Sequence, residues 1–112
     1  MTIFEKIIQK KIPARIIYED DDILSFHDVD PKAPVHALIV PKRMIARLSE
    51  TKENDGLVLG KLLAAAPKIA AVLGVAQTGY RVVINNGPDA GESVPHLHVH
   101  LLGGRVLAWP PG

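Results

Sequence analysis

The sequence predicts an α+β domain built on an antiparallel sheet. Short stretches rich in β-branched and aromatic residues recur along the chain, and two other segments have the apolar periodicity of helices. The elements follow one another as helix, strand, strand, strand, helix, strand, strand, with connections of hairpin length between several of them. This order favours an α+β domain on an antiparallel sheet.

The composition fits one folded domain over residues 1–112, with 47% hydrophobic and 22% charged residues. A net charge of +1 argues against a general binder of nucleic acids or of membrane surfaces. The chain has no cysteine, which excludes disulfides, thiolate metal sites and a thiol nucleophile. No signal-peptide pattern or uninterrupted apolar span is present, so the expected location is cytoplasmic.

The N-terminal third contains a helix and a hairpin. Thr2 is a suitable N-cap for a helix over Ile3–Gln9, whose apolar residues share one side. The β-branched and aromatic segments Arg15–Glu19 and Ile23–His27 read as strands. Asp20–Asp22 between them is expected to form a solvated turn, since Asp side chains stabilise turns locally.

A proline-punctuated loop over Asp28–Pro34 leads to a third strand, Val35–Val40, which places His36 on the same face as alternate apolar residues. A small basic cluster follows the strand. It could steer an anion, although a solvated surface is the more common role for such a cluster. Its members are Lys42, Arg43 and Arg47.

The main helix is predicted over Asn54–Leu73, with Gly74 as its C-terminal cap. Pro67 lies inside this segment and is expected to kink or divide the helix, because it removes one backbone hydrogen bond. Tyr80–Asn85 reads as a strand, and the polar, glycine-rich loop Asn86–Ser93 follows it.

Three of the five histidines lie at two-residue spacing near the C-terminus. In an extended strand such residues share one face, and the aliphatic residues between them are free to enter a core on the other face. The sequence therefore predicts a row of imidazoles on a rigid element. The histidines are His96, His98 and His100, and the alternating residues are Leu97, Val99 and Leu101.

This row has four interpretations. It could be an incidental feature of a half-exposed strand, or it could bind a metal. The outer two Cα atoms would be about 13 Å apart at a rise of ~3.3 Å per residue, too far to share one tetrahedral ion, so a metal would need two of the row plus His36.

The third interpretation is covalent catalysis at phosphorus, with a central imidazole as nucleophile and its neighbours as donors to phosphate oxygens. Backbone N–H groups of Gly91 and Glu92 and the hydroxyl of Ser93 could meet the same anion. Ser93 or a neighbouring imidazole could deliver a proton to the departing group. The fourth interpretation is a nucleotide-binding module that has little turnover.

The segment His96–Leu102 also resembles the signature of the histidine triad (HIT) superfamily, in which three histidines alternate with hydrophobic residues. The resemblance extends over essentially the whole chain and is greatest for the Hint branch, the histidine triad nucleotide-binding proteins. Matching segments are Thr2–Phe4, Lys6–Ile8, Lys11–Ala14, Phe26–Asp28, Pro31–Pro34, Val40–Lys42, Gly79–Arg81, Leu102–Arg105 and Trp109–Gly112.

The resemblance implies a purine nucleoside phosphoramidate hydrolase that needs neither metal nor cofactor. His98 would be the nucleophile, His100 would hold the phosphate, and His96 and His36 would complete a supporting network. Asp28 matches the position that binds the ribose hydroxyls. Asn85 and Ser93 match contacts to the phosphate and the leaving group, and the positions lining the base pocket are Phe4, Ile7, Ile12, Phe26, His27 and Val29.

The family fold implied by the resemblance is a five-stranded antiparallel sheet with two helices, extended to ten strands in a homodimer. Trp109 in the proline-rich tail would be covered by the partner or would fold back on its own subunit. A dinucleoside polyphosphate hydrolase of another HIT branch is the alternative enzyme. Four positions depart from the branch pattern, of which Glu92 would repel a phosphate unless it is protonated or turned away; the others are Asp30, Met44 and Pro95.

Overall fold

The computed structural model describes residues 1–112 and contains a five-stranded antiparallel sheet and two α-helices, as predicted. The elements are α1 (Ile3–Ile8), β1 (Ile16–Glu19), β2 (Ile23–His27), β3 (Val35–Pro41), α2 (Gly56–Val72), β4 (Tyr80–Val83) and β5 (Val99–Gly103). The strands are ordered β1-β2-β3-β5-β4, and every neighbouring pair is antiparallel. The central pair, β3 and β5, therefore joins distant parts of the sequence.

The histidine segment is only partly a strand. Because β5 begins at Val99, the prediction that all three histidines lie in one strand is wrong for His96 and His98. Their backbone is held differently: the N–H of Leu97 donates to the carbonyl of Ile45 at 2.7 Å. That hydrogen bond fastens the segment to the connection after β3 instead of to the sheet ladder.

Helix α2 runs unbroken through Pro67, so the proline does not divide it. Pro67 is on the exposed side, where the carbonyl of Leu63 that loses its helical partner can bind water instead. Gly74 ends the helix with a φ of 77°, as the sequence predicts, and the N–H of Val75 donates back to the carbonyl of Ala70. Neither α-helix has the length and apolar character needed to cross a membrane.

Helix α1 is short, and its start is fixed by side chains. The hydroxyl of Thr2 accepts from the N–H of Glu5 at 3.1 Å, and the Glu5 carboxylate accepts from the N–H of Thr2 at 2.8 Å. This reciprocal pair satisfies two donors that a helix start leaves free. The predicted cap at Thr2 is confirmed.

Each face of the sheet carries its own apolar cluster because side chains alternate along the strands. The cluster on the α2 side combines strand, helix and loop residues, 13 in all: Ile23, Ala37, Ile39, Ile45, Leu62, Ala65, Ala66, Ile69, Ala70, Val75, Leu97, Val99 and Leu101. The cluster on the α1 side combines strand and helix residues, six in all: Phe4, Ile7, Leu24, Phe26, Leu38 and Val40. His36 and His100 alternate with residues of the first cluster and therefore lie on the α1 face.

Candidate functional site

The two central strands bring two of the candidate histidines together. His36 on β3 and His100 on β5 are 64 residues apart in sequence, yet their rings lie 5.2 Å apart between centroids. The ring of His98 is 5.0 Å from that of His100, and Phe4 of α1 stands edge-on to His98 at 5.0 Å. The result is a cluster of imidazoles closed on one side by α1.

The hydrogen bonds assign the protons of His36 and His100. The backbone N–H of Lys32 can only donate, and it donates to Nδ1 of His36 at 3.0 Å. Neutral His36 therefore carries its proton on Nε2, which lies 2.9 Å from Nδ1 of His100. His100 in turn carries its proton on Nε2, where it is available to an anion.

His98 is oriented by the backbone of its neighbour. Its Nδ1 is 2.7 Å from the carbonyl oxygen of His96, which can only accept, so the proton is on Nδ1. The lone pair of neutral His98 is then on Nε2. The side chain of His96 is fixed separately, since its Nε2 donates to the carbonyl of Pro41 at 2.8 Å and its buried Nδ1 has no partner.

Burial keeps these imidazoles neutral. His100 is partly buried, and its pKa is lowered to about 4, mainly by desolvation and further by the neighbouring His98 and His36. Desolvation also lowers the pKa of His36 and His96, against the opposing influence of Asp28 on His36. At neutral pH the rings of His36, His96 and His100 are thus uncharged.

Asp28 lies at the end of β2 beside this cluster. One carboxylate oxygen is 3.4 Å from Nε2 of His36, and the other accepts from the N–H of Asp30 at 2.8 Å. Asp28, His36 and His100 have potential ligand atoms within 4.8 Å of one another. Nε2 of His36 and Nδ1 of His100 share a 2.9 Å hydrogen bond, which a metal ion bound through these two nitrogens would break.

The predicted base-pocket residues separate into three groups. Phe4, Ile7 and Phe26 are buried in the apolar cluster under α1, and Ile12 packs against that cluster. His27 is partly buried, and desolvation lowers its pKa. Val29 points outward, with 96% of its surface exposed.

The predicted phosphate-side residues in and before the loop that precedes the histidines differ in their exposure to solvent. Ser93 and Gly91 are exposed, and Asn85 is partly buried. Glu92 does not project freely: its side chain is 12% exposed and binds Arg47, with Nε of the arginine 3.0 Å from Oε1. Of the basic cluster expected to be solvated, all three members have carboxylate partners: Lys42 with Glu19, Arg43 with Asp55, and Arg47 with Glu50 and Glu92.

The C-terminal tail folds back along β4. Arg81 donates to the carbonyl of Leu107 at 3.4 Å, and its guanidinium lies 5.7 Å from the centre of the Trp109 ring. Trp109 nevertheless remains 79% exposed. The tail thus contacts its own subunit without burying its tryptophan.

Three contacts that shape the site were not predicted from the sequence. The backbone N–H of Lys32 and the carbonyl of Pro41 fix histidine side chains, and Arg47 holds Glu92. The first two act through groups that every residue has, so residue type carries no signal. Arg47 is 45 positions from Glu92, and only the fold makes them neighbours.

Comparison with known proteins gives consistent matches. The HIT domain family matches residues 9–107. An uncharacterized HIT-like protein of Synechococcus elongatus is 57% identical over 111 residues, covering 99% of this chain and 96% of that protein. A second such protein, from Synechocystis, is 52% identical with the same coverage.

Solved structures agree. A HIT family hydrolase from Legionella pneumophila is 44% identical and superimposes with a TM-score of 0.97, with 100% of both chains covered. A histidine triad nucleotide-binding protein from Candida albicans is 33% identical, with a TM-score of 0.83 and coverage of 98% of this chain and 83% of that one. The family match over residues 9–107, together with the identity to these relatives, shows that the chain belongs to the HIT domain family.

Proposed function

We propose that this protein is a hydrolase of purine nucleoside phosphoramidates in the Hint branch, with its 112 residues forming one catalytic domain. The observation that carries the proposal is the hydrogen bond between Nδ1 of His98 and the carbonyl of His96, at 2.7 Å. It leaves Nε2 of His98 with a lone pair in a nearly buried position. That is the form an imidazole needs to attack phosphorus. The hydrolase and nucleotide-binding names of the Legionella and Candida relatives support the same reaction class.

In the proposed first step, Nε2 of His98 bonds to the phosphorus of the phosphoramidate while the P–N bond breaks. The amine leaves with a proton from Ser93 or His100, and the nucleoside monophosphate stays bound to His98. The Nε2–H group of His100 stabilises the charge that develops on the phosphate oxygens. Water then attacks phosphorus while the bond to Nε2 of His98 breaks. The proton that water loses returns to the group that protonated the amine, so the nucleotide is released and neutral His98 is regenerated.

The neighbouring residues suit the rest of a nucleotide. In the proposal Asp28 binds the ribose hydroxyls, since its carboxylate adjoins His36 at the edge of the cluster. Asn85 and Ser93 contact the phosphate and the leaving group in the proposal. Gly91 and Glu92 adjoin them, but their N–H groups, expected to meet the anion, instead donate to the carbonyls of Pro88 and Gly87. The purine contacts the apolar and aromatic side chains Phe4, Ile7, Ile12, Phe26, His27 and Val29.

We further propose that two copies pair through β4 to form a ten-stranded sheet. β4 is an edge strand, and its Tyr80 and Val82 are more than one-third exposed on the α2 side. A free edge with exposed apolar residues is suited to strand pairing. The partner would also cover Trp109. Light scattering at micromolar concentration tests this, and a monomer mass contradicts it.

The cytoplasmic location stays a prediction.

The central test is His98→Gly. We expect turnover of an adenosine phosphoramidate to fall by at least about a thousandfold, because the nucleophile is removed. The thermal unfolding midpoint of the variant provides the control for folding. Mass spectrometry of acid-quenched wild-type enzyme should detect nucleotide on His98, and unchanged turnover by the variant would refute the role of this residue.

Substrate class is tested by comparing the rates on adenosine phosphoramidate and diadenosine polyphosphate. Faster turnover of the phosphoramidate is expected. The opposite order would assign the protein to a dinucleoside polyphosphate hydrolase branch. Binding of AMP without multiple turnover or a trapped intermediate would assign it to nucleotide binding alone.

A further inference from the structure

The loop before the histidines is fastened to the connection between β3 and α2. The N–H of Ser49 donates to the side-chain oxygen of Asn86 at 2.9 Å, at the start of the loop. At its end, Nε of Arg47 lies 3.0 and 3.2 Å from the two oxygens of Glu92. Both ends of the loop are thus held from the same side.

Glu92 also closes the loop on itself. Its carboxylate accepts from the N–H of Gly87 at 3.1 Å, and its own N–H donates to the carbonyl of Gly87 at 3.2 Å. The side chain is 12% exposed, so these contacts occur largely away from water. The ring of hydrogen bonds fixes the segment that leads into Ser93 and the histidines.

The charge of Glu92 is retained and balanced. The hydrogen bond from Arg47, followed by that from Gly87, lowers the pKa of this carboxyl, and a proton taken up by His98 would act in the same direction. Glu92 is therefore ionised within electrostatic reach of His98. An unpaired carboxylate there would oppose a phosphate anion. Arg47 also pairs with Glu50, but that carboxylate is half exposed and better screened by water.

We propose that Arg47 is a positioning residue for the phosphate site: it holds the carboxylate of Glu92 against the loop and offsets the charge that would otherwise repel the substrate. This inference rests on the proposed function, in which a phosphate occupies the space before His98. It assigns a role to a residue that no sequence pattern distinguishes from the neighbouring surface arginines. It also explains how this chain accommodates a glutamate at a position where charge opposes its ligand.

The test uses AMP as the probe and compares Arg47→Ala with the double variant Arg47→Ala/Glu92→Gln. Arg47→Ala leaves an unpaired carboxylate, so we expect the Kd for AMP and the KM for phosphoramidate to rise about tenfold. The change in kcat should stay within about threefold. In the double variant the amide oxygen can still accept from Gly87 and the charge is gone, so affinity should return to within about threefold of wild type.

Arg43→Ala is the matched control, because Arg43 follows the same strand but pairs with Asp55. Calorimetric titration of AMP measures Kd without relying on turnover. An unchanged Kd in Arg47→Ala, or no recovery in the double variant, would overturn the inference. If wild-type protein itself neither binds AMP nor hydrolyses the phosphoramidate, the proposed function fails instead, and the two failures are distinguishable.

Discussion

The two faces of the sheet are built from the same strands but differ in content. The α2 face is aliphatic and buried, with a 17-residue helix covering a cluster of 13 buried residues. The α1 face has a six-residue helix, a cluster of six buried residues and the hydrogen-bonded histidines. Alternation along β3 and β5 makes this division possible, since adjacent residues face opposite sides.

The difference indicates a division of roles. Aliphatic burial gains stability without needing exact hydrogen bonding, whereas a buried imidazole costs stability at any ring nitrogen that lacks a partner, as Nδ1 of His96 does. The α2 face can therefore stabilise the sheet on which the α1 face arranges its polar groups. If this separation holds, a substitution on the α2 face should lower stability but leave turnover largely unchanged.

The largest expected effect is on stability, from Ile69→Ala at the centre of the α2 face. Ile69 is fully buried, and removing its side chain should cost about 2–5 kcal/mol in the free energy of unfolding. Chemical denaturation measures this change. Turnover per folded molecule should stay near wild type because His36 and His100 lie on the opposite face of the sheet.

Leu57→Ala is the matched control on the same helix, at a side chain that is 75% exposed. Its free energy of unfolding should change by no more than about 0.5 kcal/mol. A large loss of turnover by fully folded Ile69→Ala protein would show that the two faces are not separable.

The next largest expected effect is a loss of folding stability at acidic pH. Folded protein keeps His100 neutral down to about pH 4, whereas the unfolded chain takes up that proton near the ordinary histidine pKa of about 6.5. Between these values the unfolded state binds more protons, so stability falls as the pH falls. The loss attributable to His100 is on the order of 3 kcal/mol across this window.

His100→Gln provides the comparison for this prediction. It removes the titrating group, so unfolding free energies measured from pH 7 to 4 should decline less steeply than in wild type. His36 and His96, whose pKa values are also lowered, keep part of the slope. Identical slopes in the two proteins would contradict the assignment of His100 as a buried neutral group.

The smallest expected changes in stability come from replacing one glycine near each face of the sheet with alanine. Gly104 follows β5 with a φ of 89°, and an added Cβ would lie 2.9 Å from the Cβ of Pro34. Gly104→Ala should therefore destabilise by about 1–2 kcal/mol and lower turnover, since Pro34 belongs to the loop whose Lys32 N–H orients His36.

Gly60→Ala should act in the opposite direction. Gly60 lies within α2, and nothing is within 4 Å of an added Cβ. Alanine at a helical position with open space should stabilise the protein by about 0.5–1 kcal/mol. Thermal unfolding and turnover of the two variants measured together give the comparison, and equal shifts of the same sign would contradict it.

Sequence reasoning predicted the architecture well because periodicity and end signals act locally. All seven elements are present, with ends that differ by a few residues, and Thr2 and Gly74 cap their helices as expected. The extent of the histidine strand was not predictable in this way. Hydrogen bonds to a distant segment, such as that from Leu97 to Ile45, decide where the strand begins.

The residue types of the candidate site were predictable, but its hydrogen bonds and ion pairs were not. Alternation correctly placed His36 on the same face as Leu38 and Val40, and His100 on the face opposite Val99 and Leu101. Which nitrogen carries a proton depends on Lys32 and on the backbone of His96, and neither contact follows from residue identity. Charge pairing shows the same limit, because Arg47 and Glu92 become neighbours only through tertiary structure.

The central position of the β3–β5 pair has a consequence for how the protein is made. Helix α2 and the β1–β2 hairpin rest on local contacts, whereas pairing β3 with β5 closes a long loop and is entropically slow. The His36–His100 hydrogen bond spans 64 residues and forms only at that closure. A chain emerging from the ribosome can therefore acquire most of its secondary structure while its chemistry is still absent, and the site is completed by the last strand to be synthesised.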